Sequence, residues 1–242
     1  MIIYILLTAH FLADFTFQTT NLAQKKLHSL KYLALHAFIY AGTFIMALFP
    51  FVKFKRAILP YIIIIGSHFF IDWIRKSADK RFNNKSTIFA SFIVDQILHF
   101  LVLTILYHTF DLNSEITSIY ERIQQWPYFN NLIIYSLIFV IIWDPAAVFI
   151  KKLFLYMIHE NSCIQEENDS QIGRIIGKLE RVIISVLVLC NQFGAIGFVL
   201  TAKSIARYKQ LEDKNFAEKY LVGTLTSASI AIIITIILKQ LL

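Results

Sequence analysis

Seven long apolar stretches dominate this chain, at about residues 1–19, 29–49, 58–76, 88–109, 131–157, 176–200 and 220–241. Runs of roughly 18 or more apolar residues are the signature of transmembrane helices. Hydrocarbon offers a peptide group no water to bond. Each run must therefore close its own hydrogen bonds as a helix. The expected class is all-α: a polytopic bundle of about six or seven transmembrane helices, embedded in a lipid bilayer. Composition agrees, since 57% of the 242 residues are apolar and only 16% are charged. Abundant Phe and Tyr suit lipid-facing and interfacial positions.

Nothing in the sequence separates two independent folding units, so residues 1–242 are expected to form one transmembrane domain. Its first part is a four-helix half over 1–110, and its second a three-helix half over 131–242. KSIARYKQLEDKNFAEK is expected to add one amphipathic interfacial helix over 203–219, with Ile205, Tyr208 and Leu211 sharing a face. The acidic stretch IHENSCIQEENDSQI (158–172) reads as solvated. The N-terminus lacks a basic leader and a small-residue cleavage site, so it reads as a retained helix. Cys163 and Cys190 form neither a CxxC nor a disulfide framework. The net charge of +7 lies in short loops without a basic run bearing stacking aromatics. That distribution argues against nucleic acid and for membrane topology. Lys and Arg are denser in the loops after the first, third and fifth segments, which places those loops inside. The basic 203–219 stretch fits that scheme poorly.

Polar residues recur inside the apolar segments at a fixed step. His10, Asp14 and Gln18 are four apart in the first segment. His68 and Asp72 repeat the step in the third, and Asp95 and His99 invert it in the fourth. A step of four keeps such residues on one helix face. With His36 in the second segment, four successive helices bring four His and three Asp to one slab. At 1.5 Å per residue the imidazoles lie roughly 10–16 Å below one surface. Ionisable groups at such depth are costly, and they mark sites, relays or ion paths.

Imidazole and carboxylate are the nitrogen and oxygen ligands of a zinc-like divalent ion. The expected ligand set is His10, Asp14, His36, His68, Asp72, Asp95 and His99, with His10, His68 and His99 foremost. Asp14, Asp72 and Asp95 are also the candidates for catalytic base. Gln18 and Gln96 flank the set as candidate substrate contacts. In the second half, GRIIGKLER (173–181) places Arg174, Lys178 and Arg181 where they could clamp a lipid-like or anionic substrate. Asp144, beside Pro145, is a further intramembrane carboxylate. The leading expectation is a membrane-embedded, metal-dependent hydrolase of a lipid-like substrate. Two other readings use the same residues: an ion- or proton-coupled transporter, and a non-enzymatic binding or regulatory protein whose polar pairs fix helix packing.

HFLADFTFQ (10–18), LHAFIY (35–40), HFFIDW (68–73), VDQILHF (94–100), GRIIGKLER (173–181), TAKSIARYKQL (201–211) and AEKYLVGTLTS (217–227) together resemble the bacterial membrane family called domain of unknown function 3307. The resemblance implies a multi-pass protein of the bacterial inner membrane and assigns no activity. By chemistry alone the His/Asp set is similar to membrane-embedded zinc hydrolases of the ceramidase and adiponectin-receptor type, in a different order and spacing.

Overall fold

The computed structural model describes residues 1–82, 84–114, 116–157 and 171–242, apart from the side chain of Gln171. Cys163 and the solvated stretch expected over 158–172 lie largely outside them. Among the described residues the chain is helical, with no strand; Val52 and Ile116 make a single isolated bridge. Five helices are long and apolar enough to cross a membrane: α3 (Leu30–Leu48), α4 (Phe54–Arg81), α5 (Lys85–Thr109), α7 (Phe129–Met157) and α10 (Lys214–Lys239). A sixth span is reached if α1 (Ile2–Phe11) and α2 (Thr20–Lys26) count as one bent element. This is a multi-pass membrane protein. The chain divides into two compact units, Met1–Leu137 and Ile138–Leu242, with the boundary inside α7.

In the first unit α1 is the inner helix, packed on α3 and α5, while α4 packs on both of those. Ile2, Leu6, Ala9, His10, Ala13 and Asp14 are all buried, so α1 and the turn after it present one face inward. The lower core is apolar: Leu6, Phe44, Leu48, Ile64 and Leu103 are almost fully enclosed. Phe38, Met46, Ile62, Phe70 and Leu101 point outward, as lipid-facing residues must.

The first segment ends in a device that its hydropathy did not show. Leu12–Thr16 form a π-helical turn, with the Phe17 amide donating to the Leu12 carbonyl at 2.8 Å. After Gln18 the chain bends by 85° into α2. The Thr19 hydroxyl caps that helix by accepting from the Leu22 amide at 3.2 Å. Instead of running straight to the surface, the chain folds α2 back over α3.

The second unit corrects two expectations. Segment 176–200 is not one helix. It breaks at Asn191, whose φ of 58° is left-handed, between α8 (Gln171–Leu189) and α9 (Phe193–Ala206). Lys203 on α9 reaches back to Glu180 on α8 at 2.6 Å, so α8 and α9 form an antiparallel hairpin. Nor is 203–219 one interfacial helix. α9 ends at Ala206, Tyr208–Glu212 form a 3₁₀ turn, and α10 starts at Lys214. The Asp213 carboxylate caps that start, accepting from the Phe216 amide at 2.9 Å. Such a cap begins a new helix rather than continuing an old one. α10 then runs alongside α8, with Ser227 beside Arg181, Thr235 beside Ser185 and Lys239 at the carbonyls of Val188 and Leu189.

This hairpin also removes the charge mismatch. Because α9 returns toward the level where α8 starts, the cations of 203–219 join the basic start of α8 on one side. That is the placement the positive-inside tendency favours. In a cysteine-free background, Lys151→Cys and Lys209→Cys should be labelled by an impermeant maleimide from the same side of the membrane, and Leu242→Cys from the other. Labelling of Lys151→Cys and Lys209→Cys from opposite sides contradicts the hairpin.

Candidate metal centre

The step of four does what the sequence promised. α1 with its π turn brings His10 and Asp14, α3 brings His36, α4 brings His68 and Asp72, and α5 brings Asp95 and His99. All seven are at least nine-tenths buried in one cluster within the first unit. The π turn matters locally, because its extra residue shifts Asp14 relative to a regular helix.

The heart of the cluster is the His36 Nε2 atom. It lies 3.0 Å from His68 Nε2, 3.1 Å from Asp14 Oδ1 and 3.4 Å from Asp72 Oδ2; His68 Nε2 is 3.7 Å from the same Asp72 oxygen. One ligand atom from each of Asp14, His36, His68 and Asp72 lies within 4.8 Å of those of the other three. Two imidazole nitrogens facing each other beside two carboxylate oxygens are short of hydrogens to share. Four ligands held about 2.0–2.1 Å from a tetrahedral ion stand about 3.3–3.4 Å apart. The observed separations bracket that value. Asp14 Oδ1 is buried and accepts no hydrogen bond.

Asp72 also belongs to a second group with Asp95 and His99. His99 Nε2 is 3.6 Å from Asp95 Oδ1, and both atoms are buried without a hydrogen bond. The donor set is thus a group of four and a group of three potential ligands that share Asp72. Shared carboxylates are one way to hold two ions close together.

The remaining polar groups hold this set in place. His10 is inside the cluster but outside both groups, and both its nitrogens are engaged: Nδ1 with Tyr40 Oη at 3.2 Å and Nε2 with Gln96 Oε1 at 3.3 Å. Gln96 donates from Nε2 to Asp14 Oδ2 at 2.9 Å and Asp95 Oδ2 at 3.1 Å, tying α1 to α5. Gln18 accepts from Lys26 at 3.2 Å. The Tyr40 ring stacks on His68, with centroids 3.6 Å apart and 8° between planes, and so fixes the imidazole. His36 Nδ1 and His68 Nδ1 make no hydrogen bond, so these rings are oriented by their Nε2 contact and by packing.

Two cations escaped the sequence reading. Lys26 on α2 is 8% exposed and donates to Asp72 Oδ2 at 3.0 Å, with Asp14 Oδ1 at 3.9 Å. The 85° bend brings it there, and no periodicity reports such a bend. Arg75 pairs with Asp95 Oδ2 at 2.9 Å and lies 3.8 Å from Asp79, which accepts from Ser91. Arg75 was legible in principle: it follows Asp72 by three on one helix face. Tyr40 was too, four residues after His36.

Arg174, Lys178 and Arg181 belong to the second unit. Arg174 is exposed. Lys178 pairs with Asp144 at 2.5 Å and lies over the Trp143 ring. Arg181 is buried and donates to the carbonyls of Ile142 at 2.6 Å and Trp143 at 3.1 Å, and to Ser227. Pro145 disrupts the helix bonds of that turn, and Arg181 covers carbonyls just before it. Lys178 and Arg181 therefore both bond to the turn of α7 that precedes Pro145.

Residues 2–129 match the family described as "Protein of unknown function (DUF3307)". The chain belongs to this family. The match covers every His and Asp of the centre and most of the first unit, and it stops before GRIIGKLER and the motifs that follow. No curated protein and no solved structure matches the chain.

The Arg75–Asp95 pair gives a direct test of how tightly this network is balanced. Removing one partner of a buried pair costs about 3–5 kcal/mol, chiefly by stranding the other charge. Arg75→Leu should lower unfolding stability in detergent by about that amount, and adding Asp95→Asn should recover much of it. A double variant no more stable than Arg75→Leu refutes the pairing.

Proposed function

We propose that the His/Asp centre binds a divalent metal, for which zinc is the best chemical fit, and that the protein uses it to hydrolyse a lipid-like substrate within the membrane. One observation carries the metal reading: His36 Nε2, His68 Nε2, Asp14 Oδ1 and Asp72 Oδ2 converge at tetrahedral-ligand spacing. Asp95 and His99 complete a second position or act as proton acceptor. His10, Gln96 and Tyr40 hold the ligands. When bound, such an ion lowers the pKa of a bound water and polarises the oxygen it faces. The chain's own part is to hold the ligands rigidly, exclude bulk water and keep a carboxylate nearby to take a proton. The apolar surface supports a bilayer location, and the motif resemblance suggests the bacterial inner membrane.

A second reading has its own support. The 85° bend between α1 and α2 lies next to Asp14 and brings Lys26 into the centre. Broken helices at intramembrane ion sites are a feature of transporters. On that reading Asp14 and Asp72 carry the ion through.

The hydrolase requires the ion, whereas the transporter reading covers either an ion or protons, and one preparation separates them. Protein purified without chelators should retain near-stoichiometric zinc, and His36→Ala and His68→Ala should each lose most of it. Absence of bound metal in folded wild-type protein ends the hydrolase reading and leaves a proton-coupled carrier or a structural role for the cluster. In bilayers of bacterial polar lipids, hydrolysis should place ¹⁸O from labelled water in a lipid product. Metal uptake into sealed vesicles, abolished by Asp72→Asn and without ¹⁸O incorporation, selects the transporter.

A further inference from the structure

Two carboxylates of the centre are held on one oxygen and offer the other. Gln96 bonds Asp14 through Oδ2, which leaves Oδ1 facing His36. Arg75 and Gln96 bond Asp95 through Oδ2, which leaves Oδ1 facing His99. At Asp72 the arrangement is reversed. Lys26 Nζ sits 3.0 Å from Oδ2, the oxygen that faces His36 Nε2 at 3.4 Å. Its next carboxylate contact, at 3.9 Å, is Asp14 Oδ1. The two carboxylate oxygens that Lys26 meets are therefore the two that the proposed ion would bind. Formal charge points the same way. Asp95 is matched by Arg75. Asp14 and Asp72 share Lys26, which leaves one negative charge over. A divalent ion in place of the ammonium makes the group neutral, whereas an ion added beside it leaves a positive charge over. Among apolar helices the neutral arrangement costs least. Space agrees as well. The recess at Lys26 has a volume of about 10 Å³, room for roughly one water, and a hydrated ion needs more. α2 is built to let go. It has seven residues, of which Leu22 and Lys26 are buried. It follows the 85° bend, where Phe17, Thr19 and Thr20 are exposed. Gln18, half-buried at that bend, already accepts from Lys26 at 3.2 Å, so the ammonium keeps a partner as it leaves.

We propose that Lys26 is a resident counter-cation that a divalent ion displaces, so that loading the centre exchanges the ion for the ammonium and moves α2 outward. This rests on the metal reading above. The exchange favours a doubly charged ion. A monovalent ion brings only the charge that Lys26 already supplies, and Lys26 competes with the advantage of its tether. A lysine that merely supported the ligands from outside would act in the opposite direction, since removing such a partner weakens metal binding. The sign of the change on removing Lys26 therefore separates the two roles.

The test uses full-length protein in detergent, stripped of metal and titrated with zinc against a competing zinc dye. Lys26→Met should bind zinc about ten- to hundredfold more tightly than wild type, the value of one charge-assisted bond. Lys26→Arg keeps the cation and should stay near the wild-type affinity. Wild-type protein gives a second reading that stands even where Lys26→Met does not fold. Acetylation of Lys26 by a water-soluble succinimidyl ester, followed by mass spectrometry, should rise severalfold when zinc is added, while the exposed Lys25 reacts alike in both states. Zinc bound by wild type as tightly as by Lys26→Met or more so, or Lys26 acetylation that zinc leaves unchanged or slows, overturns the exchange and leaves the metal reading standing. Zinc bound by neither protein overturns the metal reading and the exchange with it.

Discussion

Three buried carboxylates cannot stand uncompensated among apolar helices, and most features of the first unit answer that requirement. Asp14, Asp72 and Asp95 come from three different elements. Lys26, Arg75 and Gln96 supply charge and donors, and His36, His68 and His99 line the space between. An isolated intramembrane carboxylate is expensive; a paired and bonded one is tolerable. This explains why α1 breaks into a π turn and bends. A straight helix would leave Lys26 beyond reach of Asp72.

The second unit solves a smaller version of the same problem. Asp144 pairs with Lys178, Glu180 pairs with Lys203, and Arg181 covers the carbonyls of Ile142 and Trp143, just before Pro145. These cations are matched to local partners. Sharing a residue type with the centre does not give them its role. In the first unit Lys26 and Arg75 hold the carboxylates that a metal would claim, and this sets them apart.

Much of the centre was legible because helical periodicity is reliable. His10–Asp14, His68–Asp72 and Asp95–His99 converge as a step of four demands, and His36 joins them. Depth from segment ends grouped them well, since rise per residue is nearly constant in a helix. What stayed hidden depended on breaks in that regularity. Lys26 arrives through an 85° bend and the α8–α9 hairpin through a left-handed Asn191, and hydropathy averages over both. The single helix expected over 203–219 failed for a similar reason. Its apolar spacing looked continuous, yet Asp213 starts a new helix there. His10 was expected among the foremost ligands; the structure buries it in the cluster with both nitrogens engaged by Tyr40 and Gln96.

The central claim is that His36, His68, Asp14 and Asp72 surround one ion. X-ray absorption at the zinc edge of the purified protein addresses it most directly. The account predicts a four-coordinate shell of nitrogen and oxygen at about 2.0 Å, with imidazole scattering that diminishes in His36→Ala. A shell containing sulfur, a spectrum unchanged in His36→Ala, or folded protein with no zinc to measure contradicts it.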